Sequence, residues 1–228
     1  MNFFNDVLKN IYVPAEFGTY DEGGDLTEAA QDYATEIYVR AKRDGYEVRT
    51  DYGCSQFVVI VDEKEVYKIP FRGIYEEGYE EEDGYKVEDQ FCEFQLDHTD
   101  KTVELYNDAV IEGVDAVFAE TKFVGFSCNN YPIYSQTYAS TYLNDNKDHK
   151  PSEGSTTKAK AIDSKRYVPF ETYWTAFVID FFGEDFLQRL LQFIDDYGIE
   201  DLHRNNYGFT AGGQPIIFDY SGYDPTFA

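Results

Sequence analysis

The chain has 228 residues, enough for one large domain or two small lobes, and its aromatic fraction of 18% suits a packed core and excludes a disordered chain. With 19 Lys+Arg against 44 Asp+Glu, the net charge of −25 excludes a surface built for nucleic acid or anionic membranes. No apolar run approaches the ~20 residues of a membrane helix, the N-terminus lacks the basic flank and apolar core of a signal peptide, and Cys54, Cys92 and Cys128 form no C-x-x-C pair. These residues read as free thiols in a reducing compartment, so a cytoplasmic protein is expected.

Phe3, Phe4, Val7, Leu8 and Ile11 recur at helix-like spacing until Pro14 and Gly23-Gly24 break the pattern. Asp25-x-x-Glu28 reads as a capping box opening a helix. Leu26, Ala30, Tyr33, Ile37 and Ala41 supply its apolar face, and Gly45 ends it. Three strands are expected at 46–51, 57–61 and 66–71, separated by Gly53-Cys54-Ser55 and Asp62-Glu63-Lys64. Lys68 lies in the third; a lone strand lysine is ordinarily a solvated edge charge. Residues 72–98 are an acidic insertion in which Tyr75, Tyr79 and Tyr85 interleave with Glu and Asp, a solvated loop by charge, with tyrosines that argue for packing or docking.

A helix is expected over 99–112, with Val103, Tyr106 and Val110 on one face and Leu105 beside it. Strands follow at 118–126 and 131–138 around a turn at Asn129-Asn130. Residues 140–166 turn polar and hold Lys147, His149, Lys150, Lys158, Lys160, Lys165 and Arg166, which marks them as a linker open to proteolysis. Residues 167–198 are helical, with Tyr173, Phe177 and Phe181 in one stripe and Phe186, Leu187, Leu190, Leu191 and Ile194 in another, closed by Gly198.

Residues 197–222 carry the chemistry. Asn206 follows Asp201 by five residues, and Asp219 follows Asn206 by thirteen. Tyr207 to Phe209 and Pro215 to Phe218 read as two short strands around Gly212-Gly213, a hairpin that returns Asp219 to Asn206. A carboxylate and a carboxamide converging there suit a hard cation such as Mg²⁺, and Asp201 could take a proton from an attacking hydroxyl. Asp and Asn are also common in ordinary turns.

The segments Asp201-Leu202-His203-Arg204-Asn205-Asn206 and Asp219-Tyr220-Ser221-Gly222 resemble the catalytic and metal-binding loops of the protein-kinase-like superfamily. The D-L-H-x-x-N-x-G wording is similar to its atypical branches, including small-molecule phosphotransferases and kinase-like proteins of tailed phages. Val66-Tyr67-Lys68-Ile69 resembles the family's phosphate-binding lysine strand. The turn with Gly53 and Ser55 then falls where the glycine-rich loop belongs, with one glycine instead of three, which weakens phosphate cradling by backbone N–H groups. The resemblance implies Asp201 as base, Asn206 and Asp219 on Mg²⁺, Lys68 on the ATP phosphates, and a Glu fixing Lys68. Glu104 is chosen for that Glu, with Glu88 and Glu93 as rivals. His203 would reach the transferred phosphate or serve as a loop hydrogen-bonder. Residues 134–138, with Gln136 and Tyr138, would be the hinge beside the adenine.

The expected fold is α+β and bilobal: residues 1–139 as N-terminal helices plus an antiparallel-sheet lobe, 140–166 as the linker, and 167–228 as a short helical lobe without a peptide-substrate platform. The expected function is Mg-ATP-dependent phosphotransfer to a protein hydroxyl. The alternative is a catalytically weak or inactive acidic kinase-like protein that binds and inhibits a basic host protein, for which a nucleic-acid-binding protein is one candidate. Either way a basic protein is the expected partner, and nucleic acid and membrane are not.

Overall fold

The computed structural model describes residues 2–20, 24–53, 55–74, 93–141 and 150–220. Two units emerge, residues 1–100 with 121–136 and residues 101–120 with 137–228. The first holds α1 (Phe3–Asp6), β1 (Gly18–Thr19), α2 (Glu28–Arg43), β2 (Val48–Tyr52), β3 (Gln56–Val61), β4 (Glu65–Pro70), β5 (Gly73–Ile74), β6 (Thr121–Phe126) and β7 (Pro132–Thr137) up to Gln136. α3 (Glu93–Glu112) runs across the division.

The larger sheet is antiparallel in the order β2-β3-β4-β7-β6, and β1 pairs with β5 in parallel. The three strands expected over 46–71 are present within two residues, because β-branched and aromatic residues fill them and Asp62 and Glu63 adopt the positive φ of a tight turn. Strand alternation sorts their faces. Phe57, Val59, Val61, Tyr67 and Ile69 join one core with Phe3, Phe4, Leu8, Ile11, Ala30, Tyr33 and Ile37. Phe17 sits at its centre, with ring contacts to Tyr33, Phe57, Phe71 and Tyr131. Each such fully buried side chain is worth roughly 1.5–3 kcal/mol. The Asn129-Asn130 turn is present, and Asn129 clasps the distant Val13: Val13 N–H donates to Asn129 Oδ1, and Asn129 Nδ2 donates to Val13 O.

Two helix readings need correction. The cap of α2 is Thr27, not Asp25: its Oγ1 accepts from Ala30 N–H and donates to Glu16 O, so the helix starts at Glu28. α3 begins at Glu93, and over 99–112 its buried side is Thr99, Thr102, Leu105 and Ala109. Val110 and Ile111 are 50% and 79% exposed, so that face is rotated from the expected Val103/Tyr106/Val110 stripe. The rotation places threonines and a small alanine inward, which a search for large apolar residues passes over.

The second unit holds α4 (Glu153–Asp163), α5 (Thr172–Phe182), α6 (Glu184–Asp196), β8 (Tyr207–Phe209) and β9 (Pro215–Ile217). The mixed class with one antiparallel sheet and one largely helical part is as expected from sequence. The strand expected over 118–126 starts at Thr121 instead. Phe118 and Ala119 are taken by β9, since Ala119 N–H donates to Ile217 O at 2.7 Å.

Residues 150–166 are not an open linker. α4 lies there, with Ala159 and Ile162 buried in the same core as Trp174, Phe177, Leu187, Leu190 and Ile194. Lys147 and His149 lie outside the described residues, as do Tyr75, Tyr79 and Tyr85 of the acidic insertion, Cys54 and Cys92. Asp180 of α5 pins the start of α4, accepting from Ser152 N–H (2.6 Å), Ser152 Oγ (2.8 Å) and Ser155 Oγ (2.6 Å). Burial of the carboxyl pushes its pKa up, but the three hydrogen bonds outweigh this and hold it below the ordinary carboxylate value. A lowered folded-state pKa contributes stability above the unfolded pKa of about 3.9, and the contribution is lost as pH falls through the folded value. Asp180→Asn is therefore expected to lower the melting temperature at neutral pH, with the gap to wild type closing below about pH 4. A gap that stays constant from pH 7 to pH 3 would assign the loss to something other than the charge.

Candidate active site

α6 is amphipathic and its last turn decides where the loop goes. Tyr197 caps it, Gly198 turns left-handed at φ 59°, Gly198 N–H donates to Asp195 O and Ile199 N–H donates to Ile194 O at 3.0 Å. This is a Schellman close, with Ile199 and Ile194 both buried. Gly198→Ala is expected to cost about 1 kcal/mol, read as a lower urea midpoint at unchanged m-value.

From that turn the chain anchors itself at two residues three apart. Ile199 and Leu202 enter the core, leaving Asp201 and His203 outward, each with a 57% exposed side chain. Asn206 is the reverse, only 6% exposed. Its Nδ2 donates to Asp201 O at 2.7 Å, and its backbone N–H donates to His203 O at 2.9 Å, so one side chain and one amide close the 201–206 loop.

The expected hairpin is present. Tyr207 pairs with Ile217, Gly208 with Ile216 and Phe209 with Pro215. At the open end, beyond the Tyr207/Ile217 pair, Asn206 O accepts from both Phe218 N–H (2.9 Å) and Asp219 N–H (3.1 Å). Asp201, Asn206 and Asp219 are thus joined through Asn206, whose side chain holds the first and whose carbonyl holds the third. Because Nδ2 is committed, Oδ1 is the atom of Asn206 that a cation can use. Tyr220, fully buried, stacks edge-on against Phe118 and donates to Ala119 O, fixing the chain just after Asp219. Ser221 and Gly222 lie outside the described residues.

The backbone bond from Asp219 N–H to Asn206 O brings together two residues whose side chains, Asn206 Oδ1 and the Asp219 carboxylate, offer only oxygen to a cation. Such a pair suits Mg²⁺, which keeps several waters and takes phosphate oxygens for its remaining positions. Among the described residues no group of three or more His, Cys, Asp or Glu side chains gathers into a fuller cage.

The remaining candidates lie on other elements. Lys68 is 6% exposed on β4, opposite Val58, on the sheet face away from the Phe57/Tyr67/Ile69 core. Gly53 and Ser55 flank a tight β2–β3 turn in which Gly53 N–H donates to Gln56 O at 3.1 Å. That amide is spent on the turn and is unavailable to a phosphate in this conformation. Gln136 is buried with its Nε2 on Thr121 Oγ1 at 2.9 Å, and Tyr138 is half-buried. The chain passes from the first unit to the second between Gln136 and Thr137, inside the expected hinge. Glu104 is exposed on α3; the side chain of Glu93 and the whole of Glu88 lie outside the described residues.

Sequence reasoning missed the residues that hold the site. Trp174 is buried, and its Nε1 donates to Gly208 O at 2.9 Å. Its ring packs with Phe170 and Tyr207, and Tyr207 Oη accepts from Glu171 N–H. The available signal was a lone Trp within an apolar helix, one residue out of phase with the Tyr173/Phe177/Phe181 stripe. Of that stripe Phe177 is buried, while Tyr173 and Phe181 are substantially exposed.

No family model and no curated protein matches the chain. Solved structures that resemble it include the GDP complex of wild-type aminoglycoside 2'-phosphotransferase-IIIa, with 13% identity over 85% of this chain and 73% of that one, TM-score 0.35. The GDP and kanamycin complex of APH(2")-IIia gives 12% identity over 78% and 67%, TM-score 0.33. The streptomycin-ATP-APH(2")-IIa ternary complex gives 15% over 83% and 71%, TM-score 0.35. Scores this low leave the site's own geometry as the ground for any reading. Among the described residues no helix is long and apolar enough to cross a membrane.

Proposed function

We propose that the chain is a Mg-ATP-dependent phosphotransferase of protein-kinase-like type that acts on a hydroxyl of a basic protein. The observation that carries this reading is the hydrogen-bonded set Asp201–Asn206–Asp219. In it Asp201 takes the proton of the acceptor hydroxyl as that oxygen bonds the γ-phosphorus. The bond from the γ-phosphorus to the bridging oxygen breaks, and the diphosphate leaves with the electron pair. Asn206 and Asp219 would hold Mg²⁺, which supplies charge neutralisation at the phosphates when bound. Lys68, buried on a rigid strand, would face the phosphates, and Glu104 would fix it. Gly53, Ser55, Gln136 and Tyr138 would border the nucleotide. The net charge of −25 favours a cationic acceptor, because complementary charge speeds encounter and is screened by salt.

Mg-ATP is expected to raise the melting temperature, by an amount equivalent to roughly 2.7 kcal/mol at 100 times the dissociation constant. Asp219→Ala should abolish the shift while the protein stays folded. No shift for wild type at millimolar Mg-ATP would count against a working site.

The same charge, with the single Gly53 amide already spent, favours a second reading: an acidic protein that binds and inhibits a basic partner without transferring phosphate. Absence of labelled phosphate on a captured basic partner, with capture that weakens as salt rises, would select it.

A further inference from the structure

We propose that His203 is a positioning residue that turns the Asp201 carboxylate so that one oxygen, Oδ2, faces the acceptor hydroxyl. The proposal rests on the phosphotransferase reading above. Asp201 has a fixed backbone, since its carbonyl accepts from Asn206 Nδ2 at 2.7 Å and its neighbour Leu202 is locked in the core. Its side chain has no such anchor, being 57% exposed. Two rotatable bonds therefore separate a well-placed base from a freely turning one.

Among the described residues the carboxylate meets His203, whose Nε2 lies 3.5 Å from Asp201 Oδ1. The ring's other nitrogen is already assigned, because His203 Nδ1 accepts from Asn205 N–H at 3.2 Å. A neutral imidazole with Nδ1 as acceptor carries its proton on Nε2. The backbone thus sets a tautomer that presents an N–H to Oδ1. A contact of 3.5 Å between exposed groups is loose, and such catalytic contacts commonly tighten when substrate binds. Leu202 as the intervening buried residue puts positions 201 and 203 on the same, outward side. The energetic worth of an exposed pair is small, so the effect belongs to orientation, where a modest misplacement of a reacting group costs up to about 100-fold in rate.

Two readouts test this. The first is the imidazole ¹⁵N spectrum of the whole chain, which needs no activity. A protonated Nε2 and unprotonated Nδ1, with the Nε2 signal shifting in Asp201→Ala, are expected. The opposite tautomer, or no response to Asp201→Ala, overturns the pair. The second is transfer of labelled γ-phosphate from Mg-ATP to basic peptides bearing Ser, Thr and Tyr. His203→Ala should lower kcat roughly tenfold with KM for ATP unchanged, and His203→Gln, whose amide nitrogen can stand near Nε2, should recover part of it. In an Asp201→Asn background His203→Ala should have no further effect. An equal loss in that background, or a raised KM with unchanged kcat, would show that His203 acts independently of Asp201 and overturn the proposal. A wild-type chain that gives the expected tautomer but neither a Mg-ATP shift nor any transfer would overturn the phosphotransferase reading and this role with it, while leaving the pairing itself standing as structure.

Discussion

Gly208→Ala is expected to be the most damaging single substitution in the second unit, although it adds one methyl group. A Cβ at Gly208 would lie 2.1 Å from Ser140 O, 2.7 Å from Ser140 C and 2.9 Å from Thr141 Cα. All three are backbone atoms, so no side chain can swing aside. The crossing segment is itself bonded to β8: Ser140 N–H donates to Phe209 O at 2.9 Å and Phe209 N–H donates to Ser140 O at 2.8 Å. Relief of the clash means pulling 140–141 away and losing both bonds. Gly208 O also accepts from Trp174 Nε1, so a shift of β8 disturbs the buried Phe170/Trp174/Tyr207 cluster. Overpacking of about 1–3 kcal/mol plus two backbone hydrogen bonds at about 1 kcal/mol each gives roughly 3–5 kcal/mol. Chemical denaturation checks it, with Gly212→Ala as control, because a Cβ there meets only Thr210 Oγ1 at 3.7 Å. Equal stabilities for the two variants would mean that 140–141 does not cross β8. Since β8 begins at the residue after Asn206, Gly208→Ala should also weaken the Mg-ATP shift.

Much of this site could be read from order alone, because its parts are close in sequence and use local signals. The Gly198 close, the Gly-Gly turn and the short apolar strands fix where Asp201, Asn206 and Asp219 fall, and the register of a two-strand hairpin does the rest. The N-terminal sheet was legible for the same reason: β2, β3 and β4 are consecutive hairpins with alternating apolar residues. What failed was the non-local part. Phe118 and Ala119 look like the start of a strand toward Phe126, but their partner is Ile217, about 100 residues away, and nothing nearby announces it. α4 was hidden because it is held by small and polar groups. Ala159 and Ser155 are its buried residues beside Ile162, and its N-terminus depends on Asp180 from another helix. The polar composition of 140–166 is real, but over the described residues 150–166 polar does not mean unfolded. α3 was misphased for a related reason, as Thr99, Thr102 and Ala109 face inward.

Asp201→Asn is expected to reduce phosphate transfer by roughly 100- to 10,000-fold, the range general-base catalysis supplies, while leaving both fold and nucleotide binding intact. The separation follows from which atoms of Asp201 do what. Its backbone carbonyl accepts from Asn206 Nδ2 and so supports the loop; that bond is indifferent to the side chain. Its carboxylate is exposed, meets His203 and reaches no core group among the described residues. Replacing one oxygen by NH₂ therefore removes a proton acceptor and a charge but no structural contact. Thermal melts with and without Mg-ATP should match wild type, in contrast to Asp219→Ala, where the shift disappears, so the two variants divide the site into a base and a cation ligand. If Asp201→Asn lost the Mg-ATP shift as well, Asp201 would be holding the cation. If it kept full transfer, the proton would be leaving by another route, with His203 the nearest titratable candidate. A basic partner should still be captured by Asp201→Asn and released by about 0.5 M salt, where screening extends to within a few Å, because recognition by a −25 surface does not depend on one carboxylate.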